Sequence, residues 1–203
     1  MKIMRSIALP VAISIFSILI ASHAVAQESK SGSYTKIPTI KGIETLAPGT
    51  PAPEFVVKDL SDKEFRLKDC CGKNPVLLFF WSFFCGPCRD EIPMINQMAN
   101  EFKDKGVHVI GVNLDGREMK KAIDKFVATE KIGFRIVFDE LKGDSFTVAD
   151  PYGVAGTPAL FIIDRKGVIS YSVVGSVTTD TLRKEIVGSC PPLSEAPQRN
   201  FVE

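Results

Sequence analysis

The chain has 203 residues, 45% of them hydrophobic and 24% charged, which suits one globular domain and excludes both a disordered chain and a multi-span membrane protein. Without residues 1–26, which carry Lys2 and Arg5 and no acid, the formal charge changes from +1 to −1. No basic cluster remains to give a footprint for nucleic acid or anionic lipid, so those partner classes are excluded.

Lys2 and Arg5 precede an apolar run from Ile7 to Ile20, and Ala24-Val25-Ala26 closes the segment. This is the pattern of a secretory signal with small residues at its cleavage site. The apolar stretch continues to Ala26, so an uncleaved membrane anchor is the alternative. No Cys stands at the junction, and lipoprotein attachment is not indicated. Either reading places the rest of the chain outside the cytoplasm, with a periplasmic location expected. Five cysteines in an exported protein point to disulfide chemistry, and their odd number means that not all pair internally.

Residues 27–53 are rich in Ser, Thr, Gly and Pro and lack periodicity, as in a linker or a surface arm. The fold is expected to start near Glu54. Phe55-Val56-Val57 and Phe65-Arg66-Leu67 flank Ser61-Asp62-Lys63 and predict a short hairpin. Val76-Leu77-Leu78-Phe79-Phe80-Trp81 is a continuous apolar run, the mark of a central strand buried on both faces. Ile92, Ile95, Ala99 and Phe102 then recur at helical spacing, with Pro93 predicting a kink. Residues 107–112 predict a second buried strand, while Met119, Ala122, Ile123, Phe126 and Val127 mark the next helix. Residues 135–138 add a strand, and a less regular stretch leads to Thr157-Pro158. Residues 159–163 and 168–174 form a predicted hairpin before a last helix over about 178–187. The result is an α/β domain with a mixed central sheet flanked by helices. Residues 191–203 are expected to be a tail.

The chemistry is concentrated in Cys85-Gly86-Pro87-Cys88. Thiol exchange needs an attacking thiolate, a nearby second thiol, and surroundings that lower the first pKa. A C-x-x-C at a helix start supplies all three, because unpaired N–H groups and positive partial charge at the N-terminus favour thiolate at Cys85. Cys88, one turn in, is expected to be more buried and to act later. The same spacing also suits half a zinc site. Beyond residue 26 the chain has one histidine, His108, and no second C-x-x-C. No metal and no cofactor are expected.

Residues 80–93, Phe-Trp-Ser-Phe-Phe-Cys-Gly-Pro-Cys-Arg-Asp-Glu-Ile-Pro, resemble the active-site segment of the thioredoxin superfamily, and specifically its exported TlpA/ResA-like branch. The resemblance covers about residues 53–187. It includes Gly111-Val112-Asn113, the stretch inserted after the second strand, and Tyr152-Gly153-Val154 through Thr157-Pro158 to Phe161-Ile162-Ile163-Asp164. It implies a thioredoxin-like domain over residues 54–190 with an N-terminal β-hairpin. It also implies a cis Thr157–Pro158 bond near the cysteines, with the Thr157 backbone pairing to a substrate chain. Glu91 stands where this branch carries an acid that shuttles protons, and Phe79 stands where general thioredoxins carry a buried one. The resemblance therefore places the general acid/base role for Cys88 on Glu91. Trp81, Phe84, Gly86 and Pro87 complete the expected substrate-contacting set. Trp81 also reads as core support beneath the loop.

In such a topology Cys70, Cys71 and Cys190 fall at the pole opposite the active site. A structural disulfide from Cys190 to Cys70 or Cys71 is expected, with Cys71 the provisional partner. The resemblance implies a thiol:disulfide oxidoreductase that reduces exported proteins, including apocytochrome c, and is recharged by a membrane thiol donor. Two alternatives stay open: a disulfide oxidant or isomerase, and a non-enzymatic metal-binding chaperone.

Overall fold

The computed structural model describes residues 44–70 and 74–190. A β-hairpin comes first, β1 (Val56–Lys58) and β2 (Glu64–Arg66). The core unit is β3 (Val76–Trp81), α1 (Gly86–Phe102) and β4 (His108–Asn113). α2 (Lys120–Thr129) and β5 (Arg135–Phe138) follow, then a two-residue-stranded hairpin, β6 (Leu141–Lys142) and β7 (Ser145–Phe146). β8 (Ala159–Ile163), β9 (Ile169–Val174) and α3 (Thr179–Ser189) close the fold.

The central sheet has the order β5-β4-β3-β8-β9. β3, β4 and β5 are parallel, β8 alone runs antiparallel to them, and β9, antiparallel to β8, points the same way as β3. β3 is central, and all six of its residues are buried. Its side chains alternate between two apolar clusters. Leu77, Phe79 and Trp81 meet Ile92, Ile95, Met98 and Phe102 of α1, Ile123 of α2, and Leu182 and Ile186 of α3. Val76, Leu78 and Phe80 join Phe55, Val57 and Phe65 of the hairpin, together with Val148, Tyr152 and Phe161. The β3 sequence lacks polar alternation because both faces are covered.

Gly111 in β4 is fixed by close approach. A Cβ there would stand 2.8 Å from Ile136, 2.9 Å from Phe134 and 3.1 Å from the Trp81 indole nitrogen. The parallel strands β3 and β4 end level with each other, Trp81 opposite Asn113. The loops that follow them therefore meet at one pole.

The packed body begins earlier than the composition of the arm suggests. Leu46 donates to the Tyr152 carbonyl, Gly49 to that of Ile169 and Ala52 to that of Gly167, while Ile169 donates to Thr50. These bonds tie residues 46–52 to the domain through their backbone. The candidate signal or anchor over residues 1–26 and the expected tail over residues 191–203 lie outside the described residues. Among the described residues no helix is long and apolar enough to cross a membrane.

The expected bridge to Cys190 is a correction. Cys70 and Cys190 both carry free thiols, and Cys71 lies outside the described residues. Cys70 belongs to the cluster beneath the hairpin, whereas Cys190 packs against the cluster of the helices. The two thiols share an end of the sheet but occupy opposite faces.

Candidate active site

β3 ends at Trp81, and residues 82–84 carry the chain to Cys85, the N-cap of α1. Cys85 has extended backbone (φ −84°, ψ 105°), as an N-cap residue should, and its Sγ accepts the Cys88 backbone N–H at 3.2 Å. Pro87 follows in the first turn, where a missing N–H leaves no helical bond unmade. Cys85 and Cys88 form a disulfide with a Cα separation of 5.2 Å. Cys85 is half-buried and Cys88 fully buried, while Gly86 and Pro87 are exposed. A disulfide or thiol arriving from outside can therefore reach Cys85 and not Cys88.

Glu91 lies three residues after Cys88 on α1, on the same helical face. It is not a solvated charge: its exposure is 7%. Its Oε1 accepts the Val177 N–H at 2.9 Å, and its buried Oε2 has no hydrogen-bond partner among the described residues. Burial pushes its carboxyl above the ordinary value, and the Val177 N–H and Ser176 hydroxyl offset this only in part. A carboxyl so placed can keep a proton where an exposed Glu would lose it.

Thr157–Pro158 is a cis peptide bond. One register step beyond the Phe80–Ala159 pair, Pro158 stands opposite Trp81, at the end of β3 that leads to Cys85. Thr157 is half-buried and Pro158 is buried. Phe84 is 73% exposed beside Cys85. Trp81, expected among the substrate contacts, is corrected: it is fully buried, with its ring against Phe126 at 6.0 Å. It supports the loop from beneath.

Sequence reasoning missed Asp115. Its Oδ1 accepts the Ser82 hydroxyl at 2.5 Å, and its Oδ2 accepts the Phe83 N–H at 2.6 Å and the Asn113 side-chain amide at 2.7 Å. The available signal was Asn-x-Asp at the carboxyl end of a buried parallel strand, the end at which open α/β sheets place their sites. Among the described residues no group of three or more His, Cys, Asp or Glu side chains could hold a metal ion.

The AhpC/TSA family matches residues 48–172. The chain is 35% identical over 167 residues to "Thiol-disulfide oxidoreductase ResA" of Bacillus cereus, covering 82% of this chain and 89% of the relative. It is 34% identical to the protein of the same name from Bacillus subtilis, over 68% of this chain and 73% of that one. Among solved structures, a crystal structure described as a putative thiol:disulfide interchange protein DsbE from Chlorobium tepidum superposes with a TM-score of 0.63. It is 33% identical and covers 72% of this chain and 99% of its own. With the C-x-x-C pair at the start of α1 and relatives of this identity and coverage, the chain belongs to the AhpC/TSA family and, within it, to the ResA-like thiol-disulfide oxidoreductases of thioredoxin-like fold.

Proposed function

We propose that this enzyme works outside the cytoplasm and reduces disulfides of exported proteins, apocytochrome c among them. The observation that carries the reading is the division between a reachable Cys85 at the start of α1 and a buried Cys88 with the buried Glu91 carboxyl one turn on. In the dithiol form, the Cys85 thiolate is favoured by the helix N-terminus and by the Cys88 N–H. It attacks a substrate disulfide, a mixed disulfide forms, and the other substrate sulfur leaves as thiolate and takes up a proton. Glu91 then accepts the Cys88 proton, and the Cys88 thiolate attacks Cys85 Sγ. The second substrate sulfur is released, so the substrate gains two electrons and two protons and the Cys85–Cys88 disulfide is restored. Thr157 offers backbone groups to the substrate chain, and Phe84, Gly86 and Pro87 form the exposed ground beneath it.

The Gly-Pro dipeptide between the cysteines, shared with reducing thioredoxins, supports the reducing direction. A membrane thiol donor recharges the pair. Export rests on the features of residues 1–26. Equilibrating the intact chain against defined thiol buffers tests the direction. A reduction potential near thioredoxin's, about −270 mV, is expected for a reductant. A value near about −120 mV makes the enzyme an oxidant and ends this reading.

A further inference from the structure

Phe84 presents an unusual combination. It is the most exposed large hydrophobic side chain among the described residues, next in sequence to the reacting Cys85, yet its backbone is tightly held. Its N–H donates to the Ser82 hydroxyl oxygen at 3.1 Å, and that hydroxyl donates to Asp115. The preceding N–H, of Phe83, donates to the same carboxylate, and the following one, of Cys85, donates to the Ser82 carbonyl at 3.1 Å. Every backbone donor from 83 to 85 is thus consumed, and two of the three trace to Asp115 of the neighbouring loop, directly or through Ser82.

Apolar packing fixes the other half of the arrangement. The Phe83 ring stands edge-on to Phe84 at 5.4 Å and edge-on to Phe126 at 5.4 Å, and Phe126 leans on Trp81. Phe83 anchors the loop inward, which leaves Phe84 outward. An exposed phenyl ring gains nothing from water, and no burial of its own holds it. A polar clamp at Asp115 holds it instead. Asn113 orients the clamp by donating to Oδ2 while its own Oδ1 accepts the Asp115 N–H at 3.1 Å.

We propose that Asp115 is a positioning residue for polypeptide substrates: by holding residues 82–84 it keeps Phe84 outward as an apolar contact beside Cys85, which favours disulfides flanked by polypeptide over small disulfides. On this proposal a small disulfide reaches Cys85 without contacting Phe84, whereas a protein chain in the mixed disulfide packs on it. The inference rests on the exchange activity of the family and not on the redox direction proposed above. A failure of the potential measurement leaves it standing.

The test uses the intact enzyme, reduced, with two substrates: a cystine-bearing unfolded polypeptide and 5,5′-dithiobis(2-nitrobenzoate). The readout is the ratio of the two second-order rate constants for single-turnover oxidation of the reduced enzyme. Asp115→Asn keeps the shape but offers an amide donor to the Phe83 N–H or to Asn113, and it is expected to lower the ratio about tenfold, as loss of one charge-assisted hydrogen bond would. Phe84→Ala, at a site too exposed to threaten folding, is expected to lower it by a similar factor. The double variant is expected to fall no further than either alone. An unchanged ratio in Phe84→Ala overturns the proposal. So does additivity in the double variant, which would mean that Asp115 acts through something other than Phe84.

Discussion

Glu91 has one carboxylate oxygen bound by Val177 and the other buried without a geometric hydrogen bond among the described residues, and burial outweighs the support that the Val177 N–H and Ser176 hydroxyl give its charge, so its carboxyl is raised above the ordinary value. A group of this kind is a better proton acceptor for a buried thiol than an exposed Glu, because its affinity lies closer to the thiol's. Glu91→Gln should slow exchange by about a hundredfold and remove the limb of the pH–rate profile that this carboxyl sets, which stopped-flow measurements across pH would reveal. The same burial has a sign for stability. With its folded pKa above the unfolded value near 4.5, the native state binds the proton more tightly than the unfolded one. Its contribution is therefore most favourable below 4.5 and is lost as pH rises through the raised value. The wild-type protein should lose stability over that window relative to Glu91→Gln, as paired denaturant titrations would detect. Glu91 was legible through the family resemblance, since three-residue spacing from Cys88 does not by itself tell a buried acid from a solvated one. Asp115 was not, since its partners lie 32 and 33 residues away and only the parallel pairing of β3 with β4 brings them together. The free thiols also separate by environment. Burial pushes both thiol pKa values up, with Cys70 in the buried core and Cys190 half-buried. Iodoacetamide should modify Cys190 well before Cys70 in the oxidised native protein, as peptide mass spectrometry would resolve.

At the level of elements, the β1–β2 hairpin needs an attachment, because a two-stranded ribbon is not stable alone. Asp59 provides it at the edge strand β5. Its backbone bridges Val137, the Leu60 N–H donates to Ile136, and its carboxylate accepts from Arg135 Nη2 at 2.7 Å. Burial raises the Asp59 pKa, but hydrogen bonds from Arg135 and from the Lys63 and Ser61 N–H groups outweigh it and hold the carboxyl below the usual 3.8. The contribution is therefore present above pH 3.8 and lost as pH falls through the lowered value. Arg135→Gln should cost about 1–2 kcal/mol at neutral pH, since Arg135 is partly exposed while Asp59 is not, and the deficit should shrink in acid. Urea titrations at two pH values would measure both. The β1–β2 hairpin, the strands of the central sheet and helices α1, α2 and α3 were legible from period and turn residues. The β6–β7 hairpin was not, because two-residue strands carry no period. The place of Cys190 failed for a different reason: sequence order told which end of the sheet it reached, while the face was decided by packing.

For the whole molecule, the disulfide and the fold form one thermodynamic cycle. Whatever stabilises the Cys85–Cys88 bond in the folded chain relative to the unfolded one must stabilise the folded chain by the same amount when that bond is present. A reductant has a folded couple whose potential lies below that of its unfolded dithiol. For such an enzyme the oxidised form is the more stable one, by about 1.4 kcal/mol for each 30 mV of that difference. An oxidant reverses the order, because its reduced form is the stabilised one. Guanidinium unfolding of the oxidised and reduced enzyme should accordingly give the higher midpoint to the oxidised form, with slopes unchanged if both unfold to equally exposed chains. A higher midpoint for the reduced form would contradict the reducing assignment without any measurement of potential. The comparison is informative because the buried environment bears on both oxidation states. Reduction leaves a Cys88 thiol among apolar side chains and beside Glu91, and the stability of that arrangement relative to the bridged one decides the direction in which electrons flow.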